Sequence, residues 1–310
     1  MPKNRHFSRK VMYNSSMINK ITKNKIAKLA EKYRELKAKN PNVVREIELS
    51  EMSEMVYNSN AIENSTLTLE DTEDILIRDQ IRTDHEIREI YEAKNLASVM
   101  ECISYNPYER LSTKTVLGLH GLLLMNINNS VAGRFRHGDE WVRVGAHIGA
   151  NPKFVEKLMD ELIDEYNSDK ESYFLEKIAH FHAEFENIHP FCDGNGRIGR
   201  ILINQQLEAE DLPPIIIPNK SKFKEYYPLL EKYEYTNSYD DLVDIFAKLL
   251  IEALYRRIAK LTARKIIPLA EWSKNNNIDQ QSASNYASRG TIPAFRIRDK
   301  WMIDEDFVKD

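Results

Sequence analysis

Residues 189–200 read His-Pro-Phe-Cys-Asp-Gly-Asn-Gly-Arg-Ile-Gly-Arg. Proline disfavours helical geometry in the residue before it, so we expect a helix to end close to Ile188. Gly194, Asn195 and Gly196 tolerate a positive φ, and the apolar positions after them have the spacing of a new helix. The sequence therefore predicts a tight loop between two helices, with backbone N–H groups converging at the start of the second helix.

The side chains of this loop are typical of a phosphate site. The N-terminus of a helix favours anions, and Arg197 and Arg200 share one face of the predicted helix. Asp193 offers the hard oxygen that Mg²⁺ between phosphates prefers. His189 has an ordinary pKa of about 6.5, which suits a general base at neutral pH. No Gly-Lys-Ser/Thr follows the turn, so the loop is not a Walker A motif.

The loop also carries a family resemblance. It matches every fixed position of His-Pro-Phe-x-Asp-Gly-Asn-Gly-Arg-x-x-Arg, the signature of the Fic family, and the chain resembles that family from about Tyr57 to Ala263. The resemblance implies a mostly α fold, in which a Fic-type helical core carries a small β-hairpin flap. It implies a protein adenylyltransferase, which moves AMP from ATP to a Ser, Thr or Tyr hydroxyl of a protein target (AMPylation).

The resemblance assigns roles to individual residues. His189 would be the catalytic base, and Asp193 would hold Mg²⁺ or Mn²⁺. The phosphates of ATP would be bound by the loop and the helix behind it, through Gly194, Asn195, Gly196, Arg197 and Arg200. The nucleotide pocket and the flap would be lined by Tyr226, Tyr227, Val144, Gly145, Ala146 and His147.

A second motif lies upstream. Ser59-Asn-Ala-Ile-Glu63-Asn64 fits the Ser/Thr-x-x-x-Glu-Gly/Asn pattern of the family's inhibitory helix, which we expect over about residues 57–68. By this resemblance Glu63 pairs with Arg200 and removes the arginine that should hold the γ-phosphate. In several relatives the same glutamate positions a water that removes AMP, so both directions of the reaction stay open for this chain.

Composition narrows the remaining classes. The 310 residues are about twice the length of one domain, and the 42% apolar share is sufficient for a sizeable core. No apolar run approaches a membrane span and no apolar leader follows the start, so we expect a cytoplasmic protein without a membrane partner. Two cysteines, Cys102 and Cys192, are too few for a disulfide scaffold or a Cys-rich zinc module.

Three regions are predicted along the chain: an N-terminal helical region over 1–95, a Fic catalytic core over 96–263, and a C-terminal module over 264–310. The C-terminal module resembles a winged helix-turn-helix, with two short helices, a turn at Gly290 and a two-stranded wing. Alternating residues on both sides of Gly138-Asp139 predict a hairpin that turns there. Helical spacing predicts helices over 17–38, 69–81, 85–103, 111–127, 153–167, 173–188 and 239–263.

Several questions of partner remain open at this stage. Residues 1–40 hold twelve Lys and Arg against two glutamates, which is the pattern of an amphipathic helix with a basic face or of an arm for nucleic acid or membranes. The C-terminal module is slightly basic, which suits DNA or a protein contact. The alternative to an enzyme is a DNA-binding transcriptional regulator with a vestigial Fic core. Self-modification and a homo-oligomer are further expectations.

Overall fold

The computed structural model describes residues 17–82, 84–105 and 110–309, so part of the basic N-terminal segment lies outside the described residues. The helices, in chain order, are α1 (Lys20–Lys39), α2 (Pro41–Ile62), α3 (Leu69–Ile77), α4 (Ile87–Tyr105), α5 (Thr113–Leu123), α6 (Val155–Ser168), α7 (Phe174–Ile188), α8 (Asn195–Ala209), α9 (Tyr227–Thr236), α10 (Asp240–Thr262), α11 (Leu269–Asn275) and α12 (Gln280–Ser288). Short 3₁₀ turns cover Pro152–Phe154 and Asn219–Ser221, and a π turn covers Lys222–Tyr226.

The strands are short and antiparallel. A hairpin pairs β1 (Arg143–Val144) with β2 (His147–Ile148). A second sheet has the order β3-β5-β4 and is formed by β3 (Ile266–Pro268), β4 (Phe295–Ile297) and β5 (Lys300–Asp304). The described chain is therefore mostly α with two small sheets, which confirms the predicted fold class.

Local sequence signals explain where several helices begin. The Ser112 side chain caps α5 by accepting a hydrogen bond from the Thr115 amide, and Thr68 with Asp71 forms a capping box at α3. Pro41 opens α2, where its missing N–H costs no helical hydrogen bond. These caps fix the helix boundaries close to the ranges that the sequence predicts.

The hairpin of α7 and α8 lies at the centre of the molecule. Phe181 and Phe185 of α7 are buried in one apolar cluster with residues of α4, α5 and α6, while Leu175 and Ile178 are buried in another with α10. Since α7 is enclosed on both sides, the loop that follows it is held by a rigid support. The basic helix α1 buries Ile26, Ala30 and Tyr33 in the second cluster, which confirms the amphipathic interpretation of its apolar stripe.

Two sequence predictions need correction. The hairpin turns at Gly145-Ala146, where Gly145 has φ +60°, and not at Gly138-Asp139. Gly138-Asp139 does form a turn, but a side chain closes it: the Glu140 carboxylate accepts hydrogen bonds from Arg134 and from the His137 amide. The expected inhibitory helix over 57–68 is the last part of the longer helix α2, which ends at Ile62, and residues 63–68 form a loop.

The C-terminal module has a small core of its own around Trp272, together with Ile267 and Ile303. It contains the two predicted helices and a positive φ at Gly290, but its sheet has three strands because β3 adds to the expected pair. Two of its basic side chains bind the rest of the chain: Arg296 donates to Glu252, and Arg298 donates to Glu73. The winged-helix assignment stays a prediction. In the described ranges, no helix is long and apolar enough to span a membrane.

Candidate active site

His189 stands at the exact junction of α7 and the loop, in the left-handed region with φ 53°. A buried arginine that the sequence analysis missed holds this backbone. Arg136, 1% exposed, donates to the carbonyl of His189 (2.7 Å) and to that of Ile188 (2.9 Å), and also to the Ala150 carbonyl. A cation against the last carbonyls of a helix is electrostatically favourable. Arg136 therefore fixes the position from which the His189 ring projects.

The His189 ring is set up to accept a proton. Burial lowers its pKa to about 4, and the nearby positive charges of His147 and Arg136 act in the same direction. Its Nδ1 lies 3.3 Å from the Glu186 carbonyl oxygen. With the proton on Nδ1 donated to that carbonyl, Nε2 keeps its lone pair. The imidazole is therefore neutral at pH 7 and can act as a base.

The loop is braced from inside by Asn195 and Phe191. The Asn195 amide accepts from the Phe191 N–H and donates to the Phe191 carbonyl, both at 2.8 Å. The Phe191 ring stacks on His120 with centroids 3.6 Å apart, and His120 Nε2 donates to the Asp193 carbonyl. The side chain of Asn195 is therefore consumed in the loop, and only its backbone N–H is available for the predicted phosphate contact.

The start of α8 supplies backbone donors and two arginines. Gly194 caps the helix with φ 82°, and the Ile198 amide makes the first backbone hydrogen bond, to Gly194. In an α-helix the amides before that bond point out of the helix end, where they attract anions. Arg197 and Arg200 are both buried, at 3% and 7% exposure. The structure thus brings together the loop, the helix end and both arginines, as the motif predicts.

Asp193 is held in a ring of charges. Its Oδ2 accepts from Arg88 Nη2 at 2.6 Å, and its Oδ1 accepts from Arg197 Nη2 at 3.1 Å. Glu92 closes the ring, since its Oε1 lies 3.0 Å from Arg88 Nε and 3.0 Å from Arg197 Nη1. Burial opposes ionisation of Asp193, but Arg197 and Arg88 outweigh it and hold the pKa of the carboxyl below its usual range.

Glu63 and Arg200 form the contact that the second motif predicts. Arg200 Nη2 donates to Glu63 Oε1 (2.8 Å) and to the Ser59 carbonyl (2.9 Å), and Nε donates to Ser59 Oγ (3.0 Å). Burial opposes ionisation of Glu63, but Arg200 outweighs it and lowers the pKa of the carboxyl. A Cβ at Gly196 would overlap the Glu63 carboxylate, so this glycine lets the carboxylate reach the start of α8. Ser59 and Glu63 thus occupy both edges of the arginine.

The C-terminal end of α2 is anchored by residues far along the chain. Lys222 Nζ donates to the carbonyls of Ala61 and Ile62, and the Tyr227 hydroxyl donates to Ile62 at 3.0 Å. Lysine and hydroxyl donors at this position satisfy carbonyls that helix geometry leaves unpaired. They hold the turn from which Glu63 projects.

The remaining predicted residues are placed differently from one another. Tyr226 is 1% exposed with its hydroxyl 2.7 Å from His182 Nε2, so it packs behind Arg200 and lines no open surface. Val144 is 56% exposed at the hairpin. His147 lies between α7 and α9, with Nε2 donating to the Asn187 carbonyl and Nδ1 3.1 Å from the Glu234 carboxylate.

The donor set near Asp193 suits a divalent ion that is shared with phosphates. Across the described ranges, no three His, Cys, Asp or Glu side chains converge as a metal cage. A single carboxylate beside an anion site is the arrangement in which Mg²⁺ takes most of its other ligands from phosphate oxygens and water. Asp193 therefore fits Mg²⁺ brought in with a nucleotide.

Comparison with known proteins agrees with this geometry. Residues 110–207 match the family model described as Fic/DOC family. The chain contains a Fic domain. A protein adenylyltransferase Fic of Drosophila willistoni is 32% identical over 176 residues, which are 56% of this chain and 35% of that relative. The chain thus spans about a third of the curated relatives that it matches.

Solved structures extend the likeness beyond the Fic domain. A Fic domain containing signaling protein from Bacteroides thetaiotaomicron aligns with a TM-score of 0.69 and 25% identity, covering 76% of this chain and 96% of the other. Fic-1 from C. elegans aligns with a TM-score of 0.66 and 24% identity, covering 77% and 72%. The fold around the Fic domain is therefore shared with known proteins of this family.

Proposed function

We propose that the chain is a protein adenylyltransferase that transfers AMP from ATP to a hydroxyl of a protein target and is restrained by Glu63. The observation that carries this proposal is the position of a neutral, buried His189 beside an anion-binding helix end with two buried arginines. The adenylyltransferases that match the chain support the same activity. The target protein would be recognised outside the loop, because every loop side chain already has a role.

The proposed chemistry uses each element of the site. The target hydroxyl oxygen attacks the α-phosphorus of ATP, its proton passes to His189 Nε2, and pyrophosphate leaves. The amides at the start of α8 and the two arginines bind the phosphates. Asp193 would hold Mg²⁺, which neutralises phosphate charge when bound.

Glu63 restrains this reaction because it takes the Arg200 guanidinium. A carboxylate at 2.8 Å occupies the donors that would otherwise bind the γ-phosphate. ATP bound without that contact would present its α-phosphorus poorly to the attacking hydroxyl. Since Glu63 faces the same space as His189, we extend the proposal to removal of AMP by a water that Glu63 orients.

The experiment is incubation of the chain with ATP labelled on the α-phosphate, Mg²⁺ and a cell lysate, followed by identification of labelled proteins. Glu63→Gly protein should label targets and itself more strongly than the wild type. Its His189→Ala double variant is the control that should stay unlabelled. Absence of label from folded Glu63→Gly protein, with ATP bound, would contradict the proposal.

The C-terminal module does not favour the regulator alternative. Arg296 binds Glu252 through two nitrogens, and Arg298 binds Glu73, so these cations already have carboxylate partners within the chain. DNA phosphates would have to displace those carboxylates. We therefore assign the module a docking role on the helical core, and a gel-shift of the intact chain with random duplex DNA tests this assignment. Retention of DNA at physiological salt would contradict it.

A further inference from the structure

The ring of charges around Asp193 contains two residues that lie outside the signature motif. Arg88 and Glu92 belong to α4, and Arg88 is separated from Asp193 by 105 residues of sequence. Arg88 Nη2 binds Asp193 Oδ2 at 2.6 Å, which is the shorter of the two arginine contacts to this carboxylate. Arg88 thus occupies an oxygen that a metal ion would need.

A guanidinium and a divalent cation compete for one carboxylate oxygen. Both are positive, so they cannot share Asp193 Oδ2 without strong repulsion. The Arg88 side chain is 52% exposed, whereas that of Arg197 is 4% exposed. Arg88 is therefore the member of the ring that can leave Asp193 at little cost.

Arg88 remains tethered when it leaves. Its Nε binds Glu92 one helical turn away at 3.0 Å, and this contact does not involve Asp193. The guanidinium then stays beside the start of α8, where the strongest new anion is the outer phosphate of a bound nucleotide. Arginine binds phosphate with more than one N–H at once, so this exchange replaces one charge-assisted contact with another.

We propose that Arg88 covers the metal-binding oxygen of Asp193 in the nucleotide-free chain and moves to the outer phosphates when ATP binds with its metal ion. The proposal rests on the proposed function, since it takes ATP as the ligand of this site. It adds a third arginine to the phosphate site and makes α4 part of nucleotide recognition. It also makes metal binding without nucleotide weak, because the ion alone must displace Arg88 without offering it a phosphate.

The test compares Arg88→Gln with Lys94→Gln, both in Glu63→Gly protein so that Arg200 is free. Lys94 is a half-exposed cation of the same helix, paired with Asp79. Mn²⁺ alone, followed by the paramagnetic resonance of the unbound ion, should bind Arg88→Gln about tenfold more tightly than its parent. MgATP, measured by calorimetry, should bind Arg88→Gln about tenfold more weakly, whereas AMP should bind equally well. Arg88→Lys should recover part of the MgATP affinity.

Two outcomes would overturn the proposal. The first is unchanged or weaker Mn²⁺ binding by Arg88→Gln. The second is an equal loss of ATP and AMP affinity, which would mean that Arg88 only supports the fold of the site. None of these measurements requires AMP transfer, so a chain that binds nucleotide as expected but transfers no AMP would contradict the proposed function and leave this assignment standing.

Discussion

At the scale of single residues, the site depends on keeping His189 neutral while an arginine lies beside it. Arg136 binds the His189 carbonyl, and burial disfavours a second positive charge on the ring. His120 shows the same effect, since burial lowers its pKa to about 4 while its Nε2 donates to Asp193. The two rings have different functions: His120 supports the loop, and His189 faces the space where the hydroxyl would enter.

We expect His189→Ala to bind ATP normally and to lose transfer. The imidazole is the base for the hydroxyl proton and makes no phosphate contact in the proposed reaction. Loss of a general base typically lowers a rate by ~10²–10⁴. The measurement is the initial labelling rate in Glu63→Gly protein, with ATP affinity from calorimetry and His137→Ala, an exposed histidine of the same segment, as the control. Labelling by folded His189→Ala protein at the parental rate would refute the assignment.

The pKa of His189 gives a second prediction at this scale. In the folded chain the ring should titrate near pH 4, against about 6.5 in the chain unfolded by urea, as followed by the NMR shift of its Cε1 proton. Because the folded value is the lower one, the unfolded chain binds the proton first as the pH falls. The contribution of His189 to stability is therefore present above pH 6.5 and is lost between pH 6.5 and 4. The unfolding free energy of His189→Gln should fall less steeply over that range. A midpoint near 6.5 in the folded chain would contradict the burial argument.

At the scale of elements, α2 and α8 meet through a pair whose two members differ in exposure. The Arg200 side chain is 7% exposed, but that of Glu63 is 38% exposed, so solvent screens part of the attraction. The end of α2 is fixed by Lys222 and Tyr227 rather than by the pair alone. Inhibition thus comes from a well-held helix end that presents a moderately strong contact.

We expect Glu63→Gly to raise the rate of AMP transfer about tenfold, which corresponds to ~1.4 kcal/mol for a partly screened arginine–carboxylate pair. Adding Arg200→Ala should abolish this gain, because the freed guanidinium would be absent. If the site also removes AMP from modified protein, Glu63→Gly should lose that activity. Initial labelling rates at saturating ATP provide the measurement.

The control for this prediction is Asn64→Gly. Asn64 has φ 69°, so glycine fits its backbone and adds the same flexibility one residue later while leaving the Glu63 carboxylate in place. A gain in Asn64→Gly as large as that in Glu63→Gly would mean that flexibility, and not the carboxylate, sets the rate. Equal rates for the wild type and Glu63→Gly would withdraw the inhibitory assignment.

The same scale shows what could be predicted from the sequence. The loop could be predicted because its donors, its carboxylate and its helix start are contiguous, and the Glu63–Arg200 contact followed from a second short motif. Arg136 and Arg88 could not, because tertiary packing brings them to the loop from 53 and 105 residues away. The hairpin turn was misplaced because both Gly138 and Gly145 have positive φ, and only side-chain contacts of Glu140 separate a closed turn from a paired one.

At the scale of the whole molecule, acidic side chains of α2 connect the inhibitory helix to the rest of the chain. Glu51, 4% exposed, lies between Arg256, Arg257 and Lys260 of α10 at 2.8–3.0 Å. Glu54 accepts from Arg256 and from the Arg298 amide of the C-terminal module. The helix that presents Glu63 is thus anchored mainly by α10, with the module as an additional contact.

This arrangement predicts the effect of removing the module. A chain ending at Ala263 should fold, because the module has its own core around Trp272 and contacts the remainder largely through ion pairs. Glu54 keeps Arg256, so Glu63 should stay on Arg200 and the wild-type restraint should persist. With Glu63→Gly added, the truncated chain should label itself within about threefold of the full chain, because the module supplies no group to the loop.

The comparison requires labelling rates for the full and truncated chains, each with and without Glu63→Gly, beside their melting temperatures. Glu252→Gln in the full chain serves as the matched variant, since it weakens docking of Arg296 without removing any residue of the module. A truncated chain that folds and binds ATP but no longer labels itself would show that the module takes part in the chemistry. A truncated chain that is active without Glu63→Gly would show that the module, through Glu54, enforces the restraint that we assign to α10.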